Sequence, residues 1–142
     1  PSLNFYTTRY MVRVLIQTES HYPINREKII SCVTDVLSKR MKGDVEVSVT
    51  FVGDRKMKML NSSYRKKEYA TDVLSFPQQD PSQPTPVPFV SPPDHTMYLG
   101  DIVVSYPQAV MEAQQENKLV DDMINFLILH GIEHLLGNHH PE

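Results

Sequence analysis

The chain has 142 residues, 40% of them hydrophobic, which is enough for one domain with a proper core and too few for two. A net charge of −3 excludes a general basic field that would attract nucleic acid. The charge is uneven, however, because six of the 14 Lys and Arg residues lie within positions 55–67. This cluster is interpreted either as a local phosphate-binding patch or as a solvated helix face.

Two further classes are excluded by composition. The single cysteine, Cys32, allows neither an internal disulfide nor a cysteine-based zinc site. No apolar run is long enough to span a membrane, and no signal peptide is visible, so we expect no membrane association and no secretion.

The hydrophobic pattern predicts eight elements in the order βαβαββαα. Alternating or β-branched segments predict strands, and apolar residues at helical spacing predict helices. The predicted strands cover residues 9–18, 45–52, 71–76 and 97–105, and the predicted helices cover residues 25–41, 55–64, 106–117 and about 121–136. This order predicts one α+β domain over residues 1–142, in which a small mixed β-sheet packs against helices.

Cap and proline positions support the predicted boundaries. Asn25 and Asp54 are N-cap candidates for the first two helices, and Pro107 suits the first turn of the third. Pro77 is expected to end the third strand. Because seven of the eleven prolines lie in residues 77–96, this segment is predicted to be a long surface loop.

The histidines concentrate in residues 130–140, which hold four of the six in the chain. His130 and His134 are four residues apart, so on a helix they share a face and can bind one metal ion. Gly137 predicts a left-handed helix end, after which the chain can return His140 to the same ion. Three histidines leave one position of a tetrahedral Zn²⁺ open, which is typical of catalytic zinc sites. The sequence therefore predicts one Zn²⁺ per chain.

A zinc-dependent peptidase is one alternative for this motif. The protease signature H-E-x-x-H-x-x-G-x-x-H shares the three histidines and the glycine, but Gly131 stands where that class has its glutamate base. The permuted signature H-x-x-E-H fits with Glu133 as the base, yet it needs a glutamate ligand far downstream, which the sequence does not offer.

The same motif resembles that of the YbeY family, metal-dependent endoribonucleases specific for single-stranded RNA that act in ribosomal RNA maturation. Residues 130–140 match the family pattern H-G-x-x-H-L-x-G-x-x-H. Three more family patterns follow the expected order: N-x-x-Y-R at 61–65, T-D-V-L-S-F-P at 71–77 and L-G-D-I-x-x-S at 99–105. The resemblance covers roughly residues 9–140, and the proline-rich insert is similar to the longer loop of eukaryotic, organellar members.

The resemblance implies an α+β domain with a cleft in which His130, His134 and His140 hold Zn²⁺ and Arg65 faces the metal. Arg65 and His134 are the catalytic candidates. It also implies single-stranded precursor ribosomal RNA as substrate, a ribosomal subunit as partner, and a mitochondrial or other organellar location, with the cytoplasm as the alternative. A non-catalytic ribosome-associated protein, in which zinc only fixes the chain, is the second alternative function.

A mechanistic hypothesis assigns the basic and aromatic residues near Arg65. Lys66, Lys67 and Arg55 would bind flanking phosphates, together with Arg65 itself at the reacting phosphate. Tyr64 or Tyr69 would stack on an unpaired base.

Several residues keep two interpretations. His139 stands where the family most often has an aspartate, so a carboxylate that would orient a ligand is absent there. Glu133 either points to solvent or assists as an acid or base. Arg65 either faces the metal or pairs with Asp72 or Asp101.

Overall fold

The computed structural model describes residues 10–65, 71–78 and 96–137, except for the side chain of Arg65. Eight elements follow one another in the order βαβαββαα, as predicted. Their bounds are β1 Val12–Thr18, α1 Arg26–Arg40, β2 Val45–Val52, α2 Asp54–Arg65, β3 Val73–Pro77, β4 Met97–Ser105, α3 Tyr106–Gln115 and α4 Val120–Leu135. The predicted α+β class with a mixed sheet is confirmed.

The four strands form one sheet in the order β1-β2-β4-β3. Strand β2 is parallel to both of its neighbours, and β3 runs antiparallel to β4 at the edge. The pairing of β2 with β4 shifts after Glu46, because Glu46 pairs with Tyr98 while Val47 pairs with Gly100. At this bulge Leu99 has no partner in β2, and the side chains that follow it in β4 change direction relative to those before it.

The two faces of the sheet are covered differently. On one face, buried residues of β2 and β4 such as Val47, Phe51 and Ile102 pack against α1, α3 and α4 in the main core. On the other face a smaller cluster joins Met57 of α2 to residues of the sheet. Because β2 alternates strictly, Val-Glu-Val-Ser-Val-Thr-Phe, it presents a continuous apolar row to the main core.

The helix starts follow the capping chemistry read from the sequence. The Asn25 side chain accepts a hydrogen bond from the Lys28 backbone N–H at 3.0 Å. Ser105, the last residue of β4, caps α3 by accepting from the Gln108 N–H at 3.2 Å. Its hydroxyl also donates to Asp54 Oδ1 at 3.3 Å, which ties the start of α2 to the start of α3.

Predicted boundaries differ from the structure by at most three residues. Asp54 is the first residue of α2 rather than a residue preceding it. Pro77 ends β3 as expected, but as its last residue, paired with Gly100. A proline fits there because β3 is an edge strand and needs no N–H on its outer side. The proline-rich loop lies almost wholly outside the described residues, and in the described part no helix could cross a membrane.

Candidate metal and RNA-binding site

The histidine pair lies one turn apart near the end of α4. The Nε2 atoms of His130 and His134 are 3.2 Å apart, and the ring centroids are 4.7 Å apart with the planes at 66°. Helical i, i+4 spacing produces this approach, as the sequence predicted. Gly137 has φ 83°, so the chain leaves α4 through the predicted left-handed residue.

The separation of the two nitrogens fits a shared zinc ion. Two nitrogens at 2.0–2.1 Å from a tetrahedral Zn²⁺ lie about 3.3 Å from each other. The observed 3.2 Å is close to this value. His139 and His140 lie outside the described residues, and within the described ranges no group of three His, Cys, Asp or Glu side chains gathers around one point. The third ligand therefore stays a prediction.

Close packing fixes the histidine-bearing turn of α4 against the sheet. A Cβ added to Gly131 would lie 3.1 Å from Cγ2 of Ile102 in β4, so the helix backbone approaches the strand as closely as a glycine allows. One turn further along, the Leu135 side chain lies 3.0 Å from the corresponding position on Gly100. The sheet thus acts as a rigid support beneath the two imidazoles.

Glu133 lies between the two histidines in sequence but is held by another helix. Its Oε2 accepts a hydrogen bond from Arg40 Nη1 at 2.7 Å, and both side chains are about two-fifths exposed. The interaction fastens the end of α1 to the end of α4. This contact at the partly exposed surface favours the interpretation in which Glu133 points to solvent, and its role as an acid or base stays a prediction.

The end of α2 packs against edge strand β3, on the face of the sheet opposite α4. The Tyr64 ring packs on Phe76 of β3, with centroids 4.4 Å apart. Phe76 and Pro77 also approach Gly100, against which Leu135 of α4 packs. Tyr64 at the end of α2 and Leu135 in the histidine turn of α4 therefore contact the same end of the β3–β4 pair, from opposite faces of the sheet. Lys66, Lys67 and Tyr69 lie outside the described residues.

The two acids considered as partners of Arg65 have other contacts. Asp101 accepts hydrogen bonds from Ser48 and Tyr98 on the outer face of the sheet. Asp72 contacts Glu112 of α3, whose pKa is raised to about 7 by burial, by the hydrogen bond to Asp72 and by its charge. Because the Arg65 side chain lies outside the described part of the chain, its pairing with either acid stays a prediction.

Sequence reasoning missed the partners of two residues near the site, Arg40 and Glu112. No local pattern marks these contacts, since each joins elements far apart in the chain. It also missed Met59 and Ser62 of α2, although their spacing places them on one helix face with Arg55 and Lys58. That spacing was visible in the sequence.

Comparison with known proteins decides the family. A family model described as Endoribonuclease YbeY matches residues 15–142. The chain belongs to the YbeY family. The matched range includes both the imidazole pair and the end of α2.

Relatives named "Endoribonuclease YbeY" come from several bacteria. One from Dehalococcoides mccartyi is 39% identical over 100 residues, covering 68% of this chain and 62% of the relative. One from Thermodesulfovibrio yellowstonii is 34% identical, covering 88% of this chain and 77% of the relative. The matches to the first two relatives, both from D. mccartyi, span only about three-fifths of their length, 62% and 60%.

A solved structure supports the fold. The solution structure of a Thermotoga maritima protein superposes with a TM-score of 0.59 at 26% identity, covering 90% of this chain and 75% of that one. This structural likeness concerns the arrangement of the sheet and helices.

Proposed function

We propose that the chain is a zinc-dependent endoribonuclease that cleaves single-stranded RNA in ribosomal RNA maturation. The observation that carries this proposal is the 3.2 Å separation of the His130 and His134 Nε2 atoms beside the strand that also receives the end of α2. Membership of a family described as endoribonucleases supports the substrate and the reaction.

Each residue has a stated task in this proposal. His130, His134 and His140 would hold one Zn²⁺ per chain, with neutral imidazole nitrogens as the ligands. A bound Zn²⁺ would supply Lewis acidity towards the phosphodiester and a water that ionises near neutral pH.

Arg65 would bind the non-bridging oxygens of the reacting phosphate. A guanidinium presents two parallel N–H donors to such oxygens and stabilises the charge that grows on them during cleavage. Lys66 and Lys67 would bind the neighbouring phosphates. Tyr64, which is 65% exposed and packed on Phe76, offers an aromatic surface on which an unpaired base can stack.

The partner and the compartment are proposed on the resemblance alone. A ribosomal subunit follows from the proposed role in ribosomal RNA maturation. A mitochondrial or other organellar location follows from the proline-rich insert, whereas the relatives found here are bacterial, so the cytoplasm stays the alternative.

The first test measures zinc by elemental analysis together with cleavage of a labelled single-stranded RNA, with and without chelator. Near-stoichiometric zinc and chelator-sensitive cleavage are expected. Bound zinc without cleavage would favour the non-catalytic ribosome-associated protein, and cleavage of a peptide substrate would favour the peptidase.

His134→Ala tests the metal ligands. It removes one of the two paired imidazoles, so we expect loss of zinc and of cleavage while the far-ultraviolet circular dichroism spectrum stays unchanged. The matched control is His21→Ala, since His21 is exposed in the segment before α1 and distant in sequence from the motif. Metal-dependent cleavage that survives in His134→Ala would contradict the proposal.

Arg65→Ala separates chemistry from metal binding. We expect cleavage to fall by at least about a hundredfold, the loss typical of removing one donor to a developing oxyanion. Zinc content should stay at the wild-type level. Loss of zinc in this variant would show that Arg65 has a structural role instead.

A further inference from the structure

A groove runs beside α2, on the helix face that turns away from the core. It has a volume of about 430 Å³ and is lined by Glu19, Arg55, Lys56, Lys58, Met59 and Ser62. We call it the α2 groove. Its volume lies in the range of about 300–1,000 Å³ that is common for small-ligand sites. A single nucleotide unit is of a size that such a recess accommodates.

The cations of the α2 groove differ from most others in the described part of the chain. Elsewhere, five basic side chains form ion pairs with carboxylates, namely Arg13, Lys28, Lys39, Arg40 and Lys118. Across residues 10–65, 71–78 and 96–137, none of the ion pairs involves Arg55, Lys56 or Lys58. Three cations therefore share the recess with a single acid, Glu19, and form no ion pair among the described residues, and the net positive charge favours an anionic ligand.

The one acid in the groove is already engaged. Glu19 Oε1 accepts a hydrogen bond from the Gly53 backbone N–H at 2.8 Å, at the junction between β2 and α2. This contact holds the chain after β1 against the start of α2 and so builds one wall of the recess. The carboxylate interacts with a backbone donor, and the cations stay available to a ligand.

The groove is continuous with the proposed catalytic site along one helix face. Arg55, Lys58, Met59 and Ser62 follow one another at helical spacing, and Arg65 comes three residues after Ser62. Ten positions separate Arg55 from Arg65, which corresponds to about 15 Å of helix. Met59 is 55% exposed and gives the groove an apolar surface against which a base or a sugar can pack.

We infer that the α2 groove is a second RNA subsite, which binds the phosphodiester backbone of the single strand on one side of the cleaved bond. This inference rests on the proposed nuclease function and adds to it where the substrate runs and what minimum length it needs. An RNA must extend from Arg65 over about 15 Å to reach Arg55 and Lys58, so only longer substrates gain affinity from the groove.

The test compares two double variants that remove the same charge. Arg55→Gln/Lys58→Gln removes two cations of the groove. The control, Lys39→Gln/Lys42→Gln, removes two exposed lysines that lie on α1 and just after it. Binding of a labelled single-stranded RNA of about 12 nucleotides is measured by fluorescence anisotropy over a range of salt concentrations. The metal-loaded protein is used on ice, and intact RNA is verified after each titration.

We expect the groove variant to bind more weakly and with a flatter salt dependence. Each lost phosphate contact on a single strand lowers the slope of log K against log salt by about 0.7, so two lost contacts lower it by about 1.4. The control variant should keep the wild-type slope. In the groove variant, KM should rise more for the RNA of about 12 nucleotides than for an RNA of about 4 nucleotides, because only the longer strand occupies the whole groove.

The outcomes separate this inference from the proposed function. Normal cleavage with a wild-type salt slope in the groove variant would overturn the subsite and leave the nuclease intact. An equal loss in both double variants would also overturn it, because net charge alone would then explain the effect. A flatter slope confined to the groove variant, with no cleavage by any form, would support the subsite and refute the nuclease.

Discussion

Two glycines control how closely the site's supporting elements approach β4. At Gly131 the helix backbone meets Ile102, and at Gly100 the strand meets both β3 and α4. Gly100 also has φ 141°, a conformation that L side chains rarely adopt. A side chain at Gly100 would therefore combine backbone strain with a collision.

Gly100→Ala should be more destabilising than a matched glycine substitution. Its Cβ would lie 2.3 Å from the Phe76 carbonyl oxygen and 2.9 Å from Pro77 Cα, both backbone atoms that cannot rotate away. Gly43, at φ 119°, has nothing within 4 Å, so Gly43→Ala carries strain alone, about 1–2 kcal/mol. We expect urea unfolding to show a loss at least about 2 kcal/mol larger for Gly100→Ala. Equal losses would show that β3 moves aside without cost.

Glu133→Gln decides between the two interpretations of Glu133. Because its carboxylate pairs with Arg40 in a partly exposed interaction, the variant should lose at most about 1 kcal/mol of stability and keep RNA cleavage. Arg40→Gln is the matched variant, since it breaks the same pair from the other side. Cleavage abolished by Glu133→Gln and retained in Arg40→Gln would assign Glu133 an acid or base role.

At the scale of elements, helices α1 and α4 run side by side in the same direction. Lys28 pairs with Asp122 near their starts, at 2.8 Å, and Arg40 pairs with Glu133 near their ends. Between the two pairs, both helices contribute apolar residues to the main core. These two ion pairs help to fix the position of α4 along α1, and therefore the position of the histidine turn relative to the sheet.

Helix α3 contributes a pH-dependent contact with the segment before β3. Burial, and the hydrogen bond and charge of Asp72, raise the pKa of Glu112 from 4.5 to about 7. The folded state therefore binds more protons than the unfolded state between these values, so stability should decrease as pH rises from about 4.5 to 7 and level off above. Glu112→Gln should flatten this part of the stability profile, measured by urea unfolding at several pH values. An unchanged profile would show that the two carboxyls do not share a proton.

For the whole molecule, the sequence predicted what local patterns encode. The alternation of β2, the Asn25 cap, the i, i+4 histidines and the left-handed Gly137 are all consequences of neighbours in the chain, and the structure confirms each. The order of strands in the sheet and the pairing of side chains from distant elements depend instead on how the helices and strands pack together. That is why the β1-β2-β4-β3 order, the Arg40–Glu133 pair and the contact of Asp72 with Glu112 were beyond prediction.

The central place of β4 has a consequence for assembly during synthesis. Strand β3 is made before β4, and among the described residues it pairs only with β4, whose residues 97–105 emerge from the ribosome later. A nascent chain up to that point can form only the parallel β1–β2 pair and its flanking helices. Because loop closure must precede such long-range pairing, folding should be slow until β4 inserts and fast afterwards. Helix α4 and its histidine turn follow β4 in the chain, so they can pack on the sheet only after β4 has been made.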